Sequence, residues 1–237
     1  MKRTLLFMYW IVLILGIVAI PFSTVAQEKT VGLFLNSPGS FDGYTLFAPL
    51  NYTTTYLINN EGRLIHSWEG DYKPGNSVYL LENGHLLRTC TVGNPIFTAG
   101  RTGGRIQEVD WDGTLIWDYQ FSSNLFCQHH DVEILPNGNI LLIAWELKTN
   151  NQVILAGRKP AFVTQDGLWL DHIVEIQPNG LNGGDVVWRW HIWDHLIQEF
   201  DVTKGNYGVV ADHPELIDIN YVRIIFPVPI GFPMEIR

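Results

Sequence analysis

Apolar positions along the chain fall into short runs that reverse at glycine turns. Tyr56-Leu57-Ile58 leads to Glu61-Gly62 and returns through Leu64, Ile65 and Trp68. Ile106 and Val109 lead to Asp112-Gly113, then Leu115, Ile116 and Trp117. Ile173, Val174 and Ile176 lead to Pro178-Asn179-Gly180, then Val186, Val187, Trp188 and Trp190. Each unit is a strand, a turn and a strand closing on tryptophan. A second hairpin follows each of the first two. Val78 to Leu81 turns at Asn83-Gly84 into Leu86-Leu87, and Val132 to Leu135 turns at Asn137-Gly138 into Ile140 to Ile143. Asn-Gly between apolar runs is a strong hairpin signal, with positive φ expected at both central residues.

Gly62 and Gly113 lie 51 residues apart, and Gly84 and Gly138 lie 54 apart. Two hairpins per unit make a four-stranded antiparallel sheet, and such a unit recurring at this period predicts a β-propeller blade. A β-sandwich accounts for strands and turns but not for the paired-hairpin period. The expected fold is all-β, an incomplete array of about three four-stranded blades. It comprises two clear blades, part of a third, and one strand from Val31 to Leu35. Rings close with about 4 to 8 blades, so the array is open, and open strand edges invite self-association. Helical periodicity is nearly absent. Trp193 to Phe200 is the one short helix expected, with Asp194 as N-cap.

The two ends change the picture. Lys2 and Arg3 precede an uncharged run from Leu5 to Ile20, then Pro21, Ser23, Thr24 and Ala26. This is the pattern of a secretory signal cleaved after Ala26, because the apolar run is too short to span a bilayer and Pro21 interrupts it. The chain is therefore expected to be exported, periplasmic or extracellular, with no membrane span after cleavage. Residues 27–221 would form the partial propeller and 222–237 a non-blade tail. Pro227, Pro229 and Pro233 forbid a regular central strand in that tail. Its abrupt change of composition leads to the expectation that the end is read out of frame or that the gene is truncated.

The formal charge of the whole chain is -9, and losing Lys2 and Arg3 with the signal makes it more acidic. That balance argues against nucleic acid, whose phosphates are bound through Lys and Arg. It does not forbid a small anionic substrate, since a few basic groups in a low-dielectric pocket outweigh distant surface charge. The two cysteines, Cys90 and Cys127, could pair in an oxidising compartment or stand as two buried thiols.

Candidate chemistry concentrates at Gln128-His129-His130-Asp131, just before the strand Val132 to Leu135. The preceding unit holds Gly75, Asn76 and Ser77 in the same register, so the histidines are additions to the blade template. In a propeller this position points toward the central channel, and neutral imidazole is chemically competent near pH 7. Arg101-Thr102-Gly103-Gly104-Arg105 reads first as an interblade connection. A loop of that kind also approaches anions, which makes Arg105 a substrate-binding candidate. Asp131 and His195 are further substrate-binding candidates. His191 and His195 stand at i and i+4 without a third ligand at a diagnostic spacing, so no metal is expected. His172 follows Asp171 at a strand start, His213 sits in a loop, and His66 and His85 are expected to face solvent. Phosphate-loop, nucleophile-elbow and dinucleotide motifs do not occur, so no cofactor is expected.

Several of these stretches resemble bacterial arylsulfate sulfotransferases. They are Gly104-Arg105-Ile106-Gln107-Glu108-Val109-Asp110-Trp111-Asp112-Gly113, Gln128-His129-His130-Asp131 through Leu141, Trp188-Arg189-Trp190-His191-Ile192-Trp193-Asp194-His195-Leu196, and His213-Pro214-Glu215-Leu216-Ile217-Asp218. The resemblance implies an exported six-bladed propeller. It also implies sulfuryl transfer from a phenolic sulfate ester to a phenol through a sulfated histidine, without a nucleotide donor. It makes His129 and His130 donors to the transition state or substrate. The family's His-x-Asn-Ser motif and its sulfated histidine, which lie on later blades, have no match here, so this polypeptide is expected to lack the nucleophile. The alternative reading is an exported propeller-type ligand-binding or interaction module without catalysis.

Overall fold

A computed structural model describes residues 32–100 and 102–221. The signal and tail expectations lie outside the described residues. The chain divides into two units, 1–41 and 42–237. Of the first, residues 32–41 form no strand, so the strand expected at Val31 to Leu35 is not found among its described residues.

The second unit is built from antiparallel sheets. A three-stranded sheet comprises β1 (Tyr44–Phe47), β2 (Thr55–Asn59) and β3 (Leu64–Trp68). A four-stranded sheet follows with β4 (Pro74–Leu80), β5 (Leu86–Thr91), β6 (Gly104–Val109) and β7 (Leu115–Gln120) in sequence order. Another has β8 (Phe126–Ile134), β9 (Ile140–Lys148), β10 (Leu168–Asn179) and β11 (Gly183–His191), again in sequence order. The fold is thus all-β, with the third sheet complete where only part was expected. The pairing also corrects the phase of the repeat. Each Asn-Gly hairpin opens a sheet and the tryptophan hairpin closes it, one hairpin out of step with the sequence unit. Periodicity carries the repeat length but not its starting point.

The hairpin turns differ from expectation in one respect. In four of them the residue before the turn donates to the carbonyl four positions on, and the glycine N–H donates back. Examples are Leu81 with His85 and Gly84, and Leu135 with Asn139 and Gly138. The pairs Asn59 with Arg63 and Asp110 with Thr114 do the same. Gly62, Gly84, Gly113 and Gly138 take positive φ, whereas Asn83 and Asn137 do not. These are three-residue loops ending on a left-handed glycine rather than two-residue turns. Pro136, at the second position of its turn, suits that geometry because its ring fixes a negative φ.

Two irregularities repeat between sheets. The closing hairpins share a bulge at Leu57/Ile58, Glu108/Val109 and Glu175/Ile176. The opening hairpins share a larger one. Pro74 pairs with Cys90 and Val78 with Arg88, as Gln128 pairs with Ala144 and Val132 with Leu142. Two extra residues are accommodated on the first strand each time. Asn76 and His130, at equivalent points of the two bulges, both take positive φ. Bulges of this kind re-aim side chains.

Sheets bury their faces against one another in series. Leu57 and Trp68 of the first sheet pack with Leu86 of the second. Leu87, Ile106, Trp117 and Phe121 of the second pack with Val132, Ile140, Leu142, Val174 and Ile176 of the third. Hydrogen bonds tie each closing strand to the next sheet's closing turn. Trp68 Nε1 donates to the Asp110 carbonyl at 3.0 Å, and Trp117 Nε1 donates to Gly183 at 2.8 Å. His66 stacks on Trp111 and lies 2.7 Å from its carbonyl, and His85 lies 2.6 Å from Glu108, so neither simply faces solvent.

Beyond the third sheet the expected helix is a 3-10 turn at Ile192–His195, followed by β12 (Leu196–Ile197), which pairs in parallel with β13 (Ile217–Asp218). An unforeseen helix, α1 (Asn150–Leu155), joins β9 to β10. Its signal was present: Thr149 and Gln152 form a reciprocal capping box. Cys90 and Cys127 are buried free thiols, and burial pushes Cys90 up to about 11. No helix among the described residues is long and apolar enough to cross a membrane.

Trp117 is 3% exposed, whereas Trp188, at the matching register position of β11, is 48% exposed. Trp117→Ala is expected to cost about 3–5 kcal/mol in urea unfolding, and Trp188→Ala under about 1 kcal/mol. Equal losses would mean that the exposed face of β11 is covered in solution.

Candidate functional site

The opening bulge of the third sheet determines where the histidine pair points. Gln128 anchors it. This fully buried side chain accepts from the Gly104 N–H at 3.0 Å and donates to the His129 carbonyl at 3.0 Å. A Cβ on Gly103 would overlap the Gln128 amide oxygen, so only glycine permits this approach.

His129 is buried and His130 exposed. Their Nδ1 atoms lie 2.7 Å apart. The other ring nitrogen of His129, Nε2, lies 3.0 Å from Asp171 Oδ1, on β10. The His129 ring stacks on Trp145 of β9 with centroids 4.1 Å apart. Three strands thus converge on one imidazole. Its rotamer is held on its face by an indole and at both nitrogens by hydrogen-bond partners.

The proton arrangement follows from valence. The Asp171 carboxylate accepts from Nε2–H of His129. A neutral His129 then carries its lone pair on Nδ1, so Nδ1 of His130 must donate across the 2.7 Å contact. That tautomer leaves the lone pair of His130 on Nε2. With one more proton, His129 becomes an imidazolium that donates from both nitrogens, and Nε2 of His130 carries hydrogen. The chain Asp171–His129–His130 can therefore present either an acceptor or a donor at the exposed ring.

Other sequence candidates have different places. The Asp131 carboxylate accepts from the Tyr79 hydroxyl at 2.7 Å and from the Val132 N–H at 2.8 Å. Burial, then the bond to Asp131, pushes the Tyr79 hydroxyl up to about 12. Arg105 pairs with Asp118 at 2.5 Å and Gln120 at 2.9 Å, and its guanidinium lies over the Tyr72 ring. His195 stacks on Trp190 with centroids 4.8 Å apart. Asp171 and Trp145 escaped the sequence reading because only strand register brings them to His129.

A second cluster involves His172 and His191, which are cross-strand partners with parallel rings 5.1 Å apart. Burial pushes His172 down to about 4, against the opposing pull of Glu146. In the unfolded chain this ring takes its proton near the ordinary value of about 6.5. Above that pH neither state is protonated and the group contributes nothing. As pH falls from about 6.5 to about 4, only the unfolded chain gains the proton, so stability is lost over that window. Denaturant midpoints are expected to fall more steeply there for this chain than for His172→Gln; identical slopes would show that His172 is not held neutral.

No curated protein matches the chain. Among solved structures, a protein of unknown function from Bacteroides caccae is similar at 15% identity and a TM-score of 0.34. The similarity covers 63% of this chain and spans 58% of that protein's length. At that TM-score the likeness carries no argument. The arylsulfotransferase (ASST) family model matches residues 34–218, a span that takes in all three sheets and the histidine pair. By that match the chain belongs to the arylsulfotransferase family.

Proposed function

We propose that this chain supplies the acid–base histidine relay of an exported aryl sulfotransferase, arranged as consecutive blades of a β-propeller. Three sheets stacked in series, with repeated bulges and tryptophan ties, support the propeller reading. The observation that carries the chemistry is the Asp171–His129–His130 relay, with its Nδ1–Nδ1 separation of 2.7 Å.

The reaction in this reading moves a sulfuryl group from a phenolic sulfate ester to a phenol. A histidine nitrogen that this chain is expected to lack, and that the rest of the complete propeller would carry, attacks sulfur, the sulfur–oxygen bond to the aryl group breaks, and a sulfohistidine forms. The departing phenolate needs a proton or a donor, and the relay in its protonated form offers one at Nε2 of His130. The acceptor phenol then gives its proton to the relay, now neutral, as its oxygen attacks the sulfohistidine. One proton cycles and no cofactor is required. Asp171 stabilises the imidazolium state, and Trp145 holds the ring that carries it.

A chromogenic aryl sulfate with a phenol acceptor tests this. With the nucleophile-bearing remainder of the propeller supplied as a second polypeptide from a longer family member, His130→Ala, which alters an exposed side chain, is expected to lower turnover by roughly 10²- to 10⁴-fold. Asp171→Asn, which removes the carboxylate that accepts from His129 Nε2, is expected to lower it less. A complemented sample that binds the aryl sulfate without turning it over would favour the ligand-binding module instead. Activity unchanged by either substitution would remove the relay from the mechanism.

A further inference from the structure

Three strands of the third sheet bring together a donor set that the relay does not use. His172 on β10 pairs in register with His191 on β11 and with Ala144 on β9. Glu146 is two residues beyond Ala144, so it emerges on the same face. Ligand atoms of Glu146, His172 and His191 all lie within 4.8 Å of one another. The sequence offered His191 and His195 without a third ligand and led to the expectation of no metal; His195 stacks on Trp190, and strand register supplies His191 with different companions.

Two of the three are buried, with His172 4% and Glu146 9% exposed, and His191 is half-buried. Glu146 Oε1, His172 Nδ1 and His191 Nδ1 have no hydrogen-bond partner. His191 Nδ1 lies 3.1 Å from Glu146 Oε2, close enough for attraction but not aligned as a hydrogen bond. Buried polar atoms are normally paired, so three left without a partner in one cluster call for a shared one. The cluster lines a cleft of about 730 Å³ with Gln152, Lys148 and Arg189, which gives a partner a way in.

We propose that Glu146, His172 and His191 form a site for a divalent first-row transition cation such as Zn²⁺. Two imidazoles and a carboxylate are the donors such ions take, with remaining positions open to water or an anionic oxygen from the cleft. Lys148 opposes the cation. Its Nζ lies 3.0 Å from Glu146 Oε2 and 4.9 Å from the Trp193 ring centroid, so it competes for one oxygen and leaves Oε1. Arg189 adds positive charge to the same cleft, so affinity is expected to be moderate.

Chelator-stripped full chain is titrated with Zn²⁺ by calorimetry, and with Co²⁺ to read the ligand field by visible absorption. One cation per chain is expected. His172→Gln and Glu146→Gln should each weaken binding by more than about tenfold, while His129→Gln leaves it unchanged. Lys148→Met should tighten binding by about tenfold, a gain that misfolding cannot imitate. Absence of binding at millimolar Zn²⁺ would overturn the proposal. So would retention of binding in the Glu146 and His172 variants, or its loss in the His129 variant. None of these readouts uses sulfuryl transfer, so the relay and the cation site stand or fall separately.

Discussion

A four-stranded sheet of this length has two apolar faces and cannot bury both by itself. Every sheet here depends on stacking against a neighbour. Leu86 and Leu87 are adjacent in β5 and point to opposite faces, one into the first interface and one into the second. Both are fully buried. The alternation of a single strand thus couples three sheets. The tryptophan hydrogen bonds add direction to this burial, because each indole N–H reaches the next sheet's closing turn and sets the offset between sheets. Exposed Trp188 and Val187 on β11 show what the pattern looks like where no described sheet follows.

The same stacking makes the histidine site possible. The opening bulge carries two extra residues on β8, and the Gln128 side chain spans from this bulge to the preceding sheet at Gly104. In the second sheet the bulge holds Gly75, Asn76 and Ser77, where a glycine sits against Thr89 with no room for a side chain. In the third it holds His129, whose ring finds Trp145 and Asp171 on the neighbouring strands. One backbone device therefore serves packing in one sheet and chemistry in the next. The second cluster lies near the same end of the third sheet. His172 shares a register row with Ala144 and Gln128, and Asp171 shares the adjoining row with Trp145 and Cys127. Alternation along β10 sends Asp171 to one face and His172 to the other.

Much of this was legible in the chain before any coordinates. Glycines after polar turn residues marked the hairpins, tryptophans marked the closing strands, and the interval of about fifty residues marked the sheet. The equivalence of Gly75-Asn76-Ser77 with His129-His130-Asp131 was readable as well, because local spacing is preserved across one repeat. The capping box at Thr149 and Gln152 was readable but overlooked in a chain so poor in helix. The turn type was misread because Asn-Gly was weighed without the residue before it, and Pro136 there favours the three-residue loop.

Sequence alone determined the all-β class, the repeat and the segment bearing the histidines, because strand alternation, turn residues and short motifs are local properties. The tertiary structure decided which hairpins join into one sheet, since a period has no intrinsic origin and only hydrogen-bond pairing chooses the phase. It also decided the partners of the functional groups. Asp171 is 42 residues from His129, and Glu146 is 45 from His191. Nothing in a linear pattern relates residues at such distances. Register across adjacent strands brings them together and assigns Asp131 to Tyr79, Arg105 to Asp118 and Asp171 to the imidazole.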